Sequence, residues 1–159
     1  MTIKAVGKWK SGFASWLEDD RGHRVPVDLP RDEGGEDAGT SALELNILSL
    51  TGCITTIFAL VAHKRRVRFE GMKVELEAER PRGAPTITAV KGRCVIVSAQ
   101  PAEEVEHALR ITLRTCPVGV LYEKAGIPVT VDCEVLPPGS APAEAALQGA
   151  PSPPDRTEA

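Results

Sequence analysis

Two cysteines stand where a thiol could do chemistry. Cys53 lies in the run Leu48-Ser-Leu-Thr-Gly-Cys53, and Cys116 stands between Thr115 and Pro117. A thiolate is the nucleophile toward peroxides and disulfides, and a second thiol nearby can capture the oxidised first sulfur. If the fold brings Cys53 and Cys116 together, they form an attack-and-resolve pair. Pro117 suits the first position of a helix, which makes Cys116 the N-cap residue. Free amides and the positive end of the helix dipole then favour a thiolate there. The plainer alternative is a Thr-Cys-Pro turn that ends one helix and starts another. Cys53 shares a narrow stripe with Asn46, Ser49, Gly52 and Thr56 at helical spacing. Such a stripe serves either close helix–helix contact or a thiol facing a pocket. Burial raises a thiol pKa, so a working Cys53 needs a cation or donor beside it. Cys94 and Cys133 fall on apolar strand faces and read as small core residues.

Glu44 is a candidate acid for the same site. Ser41-Ala-Leu-Glu44 is also a capping-box pattern, which gives the glutamate a structural reason to be there. Nine residues at about 100° each set it on the opposite side of its helix from Cys53. It would act from the other subunit or across a bent first turn. His23, His63 and His107 are scattered and read as surface groups. The cysteines contain no CxxC spacing, so neither a metal nor a cofactor is expected.

The elements that position these residues follow from patterning. Ile3 to Trp9 and Phe13 to Glu18 read as strands separated by Lys10-Ser-Gly12. Asp19 to Gly22 is a turn, and His23 to Asp28 is a strand that Pro26 confines to an edge or bulge. Leu29 to Gly39 is a loop. A long helix runs from Ser41 to about Arg66, its last turn rich in cations, with Gly71 marking the turn after it. Lys73 to Arg80 alternates with Val74, Leu76 and Ala78 inward, and Thr86 to Val97 is the next strand, with Val90, Cys94 and Ile96 on one face. Pro101 opens a helix that buries Val105, Ala108, Leu109, Thr112 and Leu113. A shorter helix follows Cys116 and stops at Gly126, and Val129, Val131, Cys133 and Val135 share one face of a last strand. The pattern specifies an α+β domain over residues 1–136. Residues 137–159 hold six of the thirteen prolines and read as a disordered or loosely packed tail.

Leu45 to Ala62 carries no formal charge and nears the length of a membrane span. Asn46, Ser49, Thr51, Thr55 and Thr56 interrupt it, which favours a core helix and no membrane. A 159-residue domain can hardly cover a helix that is apolar on nearly all sides. A symmetric homodimer packing two such helices together would. A net charge of −3 and 4% aromatic content argue against nucleic-acid binding. The first ten residues show no apolar signal-peptide core, so a cytoplasmic, reducing location is expected.

Gly35-Glu-Asp-Ala-Gly-Thr-Ser-Ala-Leu-Glu44-Leu45, the Leu48–Cys53 run and Thr115-Cys-Pro-Val-Gly119 together resemble the OsmC and organic hydroperoxide resistance superfamily. The likeness covers about Lys4 to Val135. It implies an intertwined homodimer with antiparallel sheets around long central helices and sites at the subunit interface. It also implies a cysteine-based peroxidase: Cys53 attacks the peroxide and becomes a sulfenic acid, Cys116 condenses with it, and a dithiol such as a lipoylated protein reduces the disulfide. Glu44 matches the family's carboxylate near the helix start. One departure stands out. The family's hydroperoxide reductases place an arginine in the first hairpin, where this chain reads Lys8-Trp-Lys-Ser-Gly-Phe13. Lys10, Arg21 and Arg24 are the candidates to replace it, although lysine lacks the planar fork.

Three readings follow. The first is a dimeric thiol peroxidase for organic or hydrogen peroxides, with Cys53, Cys116 and Glu44 as catalytic residues. The second is a non-catalytic redox sensor or a protein that binds a small apolar ligand. The third is a structural dimer whose cysteines are merely packed.

Overall fold

The computed structural model describes residues 2–140. The elements run β1 (Ala5–Ser11), β2 (Ala14–Asp19), β3 (Arg24–Val27), α1 (Ala42–Arg65), β4 (Gly71–Glu79), β5 (Ala89–Val97), α2 (Ala102–Thr115), α3 (Pro117–Lys124) and β6 (Val129–Leu136). They form an α+β architecture with two three-stranded sheets, ordered β1-β2-β3 and β4-β5-β6. The first sheet is antiparallel, and β3, which carries Pro26, lies at its edge as a strand lacking one amide donor must. In the second sheet β4 is antiparallel to β5, while β5 and β6 run parallel across the crossover formed by α2 and α3.

α1 begins where local chemistry tells it to. The Glu44 carboxylate accepts from the Ser41 amide at 2.7 Å, and the Ser41 hydroxyl accepts from the Glu44 amide at 3.3 Å. Both halves of the capping box are therefore made. The helix ends with Arg66 in the left-handed region (φ 59°), just beyond the cations His63, Lys64 and Arg65. Its threonines satisfy their hydroxyls internally: Thr51 donates to the Ile47 carbonyl, and Thr55 and Thr56 both donate to that of Gly52. By length and composition α1 could cross a membrane. Here Leu50, Ile54, Phe58 and Ala62, spaced by four, are sealed against the core. α2 adds Val105, Ala108 and Leu109, and β5 adds Val90, Cys94 and Ile96. Each large apolar side chain so buried contributes roughly 1.5–3 kcal/mol.

The opposite side of α1 is open: Leu48 is 56% and Leu60 52% exposed. In the first sheet β1 is exposed along its whole length, with Trp9 and Phe13 prominent, while β2 and β3 are mostly half-buried. A bridge between Val27 and Thr40 ties this sheet to the start of α1. The buried Asp28 carboxylate fixes the intervening loop by accepting from the amides of Leu29, Glu36 and Ala38. These bonds, the Ala38 amide foremost, hold its pKa below the ordinary range. The loop passes close to itself: a Cβ on Gly35 would lie 1.9 Å from the Leu29 carbonyl oxygen, which only glycine permits.

Several boundaries differ from the sequence expectation. β1 continues through Lys10 and Ser11, so the hairpin turns at Gly12 (φ 52°) and Phe13. Gly71 does not turn the chain but opens β4, because Arg66 has already ended the helix. β5 starts at Ala89 rather than Thr86. Ala78 is exposed, not inward: β4 outruns the core there, and Ala78 lines open concavities beside Ile47. Of the expected 137–159 tail, residues 141–159 lie outside the described residues.

Candidate functional site

Cys53 is set by α1, between the sealed Leu50 and Ile54, and is half-buried against the core cluster. Cys116 is set by the junction of two helices. Its amide donates to the Thr112 carbonyl at 2.8 Å and closes α2, while Pro117 starts α3 in the position that needs no amide donor. The Cys116 sulfur caps α3 by accepting from the Gly119 amide at 3.4 Å. It is 1% exposed. Residues far apart in the chain thus meet, with the Cys53 thiol near enough to Cys116 to raise its pKa. Both are free thiols.

The expectation of a Cys116 thiolate is overturned. The N-cap geometry is present and the Gly119 amide does favour the anion. Burial opposes it more strongly, and the neighbouring Cys53 adds to burial, so the Cys116 thiol is pushed up to about 11. At neutral pH Cys116 keeps its proton.

Beside the pair lies a cavity of about 630 Å³, walled by Leu50, Ile54, Leu113, Ile127 and Val129, with the Cys116 side chain in its lining. Cys53 is not among the residues that line it. The charged residues at its edge are Arg114 and Glu123. Arg114 carried no role in the sequence reading, although it sits two residues before Cys116. The candidates to replace the family arginine are elsewhere. Arg21 pairs with Asp19 at 3.2 Å and Arg24 with Glu18 at 3.4 Å, both on the first sheet, and Lys10 lies in exposed β1. None of the three lines the cavity.

Glu44 is not brought to the cysteines within this chain. It is about two and a half helical turns from Cys53 and lines two other concavities, both shared with Ile47. Its carboxyl is held below the ordinary range chiefly by the Ser41 hydroxyl, then by the Ser41 amide and Thr40. A further residue that sequence reasoning missed is Tyr122, the sole tyrosine. Its hydroxyl donates to the Asn46 side-chain carbonyl and ties α3 to the stripe of α1 that carries Cys53. Its being the sole tyrosine is the one signal in the sequence, and nothing there pairs it with Asn46.

Cys94 is fully buried, as a core residue should be, and Cys133 is half-buried. Of the histidines, His23 pairs with Asp19 at 2.8 Å, His107 meets Arg110, and all three are exposed.

The family described as OsmC-like protein matches residues 34–132, a span that holds Glu44, Cys53 and Cys116. No curated protein matches the chain. Among solved structures, an OsmC-like protein from Mycoplasma pneumoniae aligns with a TM-score of 0.75 at 13% identity, covering 86% of this chain and 98% of that one. A Legionella pneumophila protein described as organic hydroperoxide resistance protein OsmC gives 0.69 at 18%, covering 85% and 98%. An organic hydroperoxide resistance protein from Elizabethkingia anophelis gives 0.64 at 18%, covering 86% and 97%. At these identities the likeness is one of fold.

Proposed function

The chain belongs to the OsmC-like family, and from that premise we propose that it is a cysteine-based thiol peroxidase that reduces organic or hydrogen peroxides. The observation that carries this reading is the convergence of Cys53 and Cys116, the first near enough to raise the pKa of the second, beside a largely apolar cavity that Cys116 lines. Two proteins of similar fold, described as organic hydroperoxide resistance proteins, support it.

The chemistry balances with these two sulfurs. The Cys53 thiolate attacks one peroxide oxygen, the O–O bond breaks, and the departing alkoxide or hydroxide leaves protonated. Cys53 is then a sulfenic acid. Cys116 attacks that sulfur as its own proton goes to the departing hydroxide, so water leaves and a disulfide forms. A high Cys116 pKa suits this order: the thiol keeps its proton through the first step and gives it up only in the second. A dithiol, such as that of a lipoylated protein, returns the pair to thiols. The apolar walls beside Cys116 fit the organic part of a hydroperoxide, and Arg114 supplies the cation at that edge.

The same reading includes a cytoplasmic homodimer. The open side of α1 and the exposed β1 are apolar surfaces that a second copy would cover. Glu44 takes part from that second copy, since within one chain about two and a half turns of α1 separate it from Cys53. The test is peptide mapping after one equivalent of cumene hydroperoxide. An intramolecular Cys53–Cys116 link is expected. Peroxide left unconsumed, with both thiols intact and a dithiol present, would remove the reading.

A second reading, a redox sensor or a protein that binds a small apolar ligand, is favoured by one observation: none of Lys10, Arg21 and Arg24 lines the cavity. A ligand-induced rise in Tm without peroxide turnover would support it instead.

A further inference from the structure

Another pair of sulfurs takes no part in that turnover. β5 and β6 run parallel with Cys94 directly opposite Cys133. Side chains at opposed positions of neighbouring strands stand on one face of the sheet. Here it is the face that packs on the core, shared with Val90, Ile96, Val131 and Val135. Adjacent strands lie about 4.8 Å apart, within the ~4.4–6.8 Å Cα separation that a disulfide spans. Both thiols are free. Cys94 is sealed, at 0% exposure, whereas Cys133 is half-buried beside Glu106 and Arg110 of α2. Cys133 is thus the more accessible residue of the pair and Cys94 the sealed one, an asymmetry that suits stepwise exchange.

We infer that Cys94 and Cys133 form a second redox dithiol, converted to a cross-strand disulfide by low-molecular-weight disulfides. The Cys133 thiolate attacks one sulfur of the small disulfide, the S–S bond breaks, and one small thiolate leaves and is protonated. The Cys94 thiolate then attacks the Cys133 sulfur of the mixed disulfide and expels the second small thiol. Two protein thiols are oxidised, one small disulfide is reduced to two thiols, and both protons end on those thiols.

The reaction is slow at neutral pH. Burial, with Cys133 adding to it, lifts Cys94 to about 12. Burial and then Glu106 lift Cys133 to about 11, against the opposing pull of Arg110. The thiolate is the reacting form, so at pH 7 only a small fraction of Cys133 is ready. The pair therefore records sustained oxidation rather than single encounters.

The test uses a Cys53→Ser/Cys116→Ser variant, which leaves only the strand thiols. It is incubated with excess oxidised glutathione at pH 7, 8 and 9, quenched, and mapped by mass spectrometry. Expected are a Cys94–Cys133 linked peptide, a fall from two titratable thiols to none, and a rate rising about tenfold per pH unit. A higher Tm by several degrees is also expected, since the bond joins residues far apart in sequence. Two free thiols remaining after long incubation at pH 9 would overturn the inference. So would a reaction that stops at glutathionylated Cys133, or a Cys133–Cys133 link between two chains. The unmutated chain, treated in the same way, must give the same linked peptide. Because the double variant cannot turn over peroxide, failure here leaves the Cys53 reading untouched, and the converse also holds.

Discussion

Cys53 and Cys116 meet where one helix passes the junction of two others, whereas Cys94 and Cys133 face each other within a hydrogen-bonded ladder. The helix pair has a cavity along one side and an amide donor aimed at one sulfur. The strand pair has a packed core on its face and a Glu106–Arg110 ion pair at its edge. Bringing two sulfurs together is thus something this fold does twice. What separates the pairs is what surrounds them, a cavity along one and a packed core against the other.

The largest expected effect separates the pairs by function. Cys53→Ser should lower peroxide consumption at least ~1,000-fold in a dithiol-coupled assay, because the nucleophile is lost. Cys133→Ser should stay within about twofold of the unmutated protein. Equal losses in the two variants would erase the distinction. Next, Cys116→Ser should cut steady turnover by about 10- to 100-fold. The first equivalent of peroxide should still be consumed, leaving a sulfenic acid on Cys53 that dimedone labels. If that variant turns over normally, Cys116 is not the resolving thiol.

A third effect is thermodynamic and concerns both pairs. Cys94, at about 12, and Cys116 and Cys133, each at about 11, lie above the ordinary thiol value near 9 in the folded chain. The unfolded chain releases these protons first. Stability is therefore full below about pH 9 and declines as pH climbs through 9 to 11, by at most ~1.4 kcal/mol per thiol per pH unit. Urea midpoints at pH 8, 9 and 10 should show the decline, and Cys94→Ala should flatten it. The smallest effect is a control. Ser41→Ala removes one half of the capping box and should cost about 1 kcal/mol in urea denaturation. It should leave the linking of Cys94 and Cys133 unaltered.

Much of the fold could be read from the chain because short-range chemistry decided it. Ser41 and Glu44 set the start of α1, Pro26 sent its strand to an edge, and Cys116-Pro117 divided α2 from α3. The hidden parts depend on what the folded chain places around a residue. Cys116 has the predicted cap, yet its depth in the core reverses the expected charge state. Cys94 and Cys133 each showed an apolar face, but their opposition depends on a parallel register that no local pattern encodes. The Tyr122–Asn46 bond joins residues on separate helices, and Arg114 became relevant only when the cavity edge was formed.

The crossover that lets β6 lie parallel to β5 carries all of α2 and α3, and Cys116 sits at its bend. A bond between Cys94 and Cys133 would fasten the two ends of that crossover and make it a covalent hoop. Cys116 would then ride on a closed circle of backbone, with less room to swing toward Cys53. Slow oxidation in the ladder would in this way restrain the rapid chemistry at the bend, through the path of the chain alone.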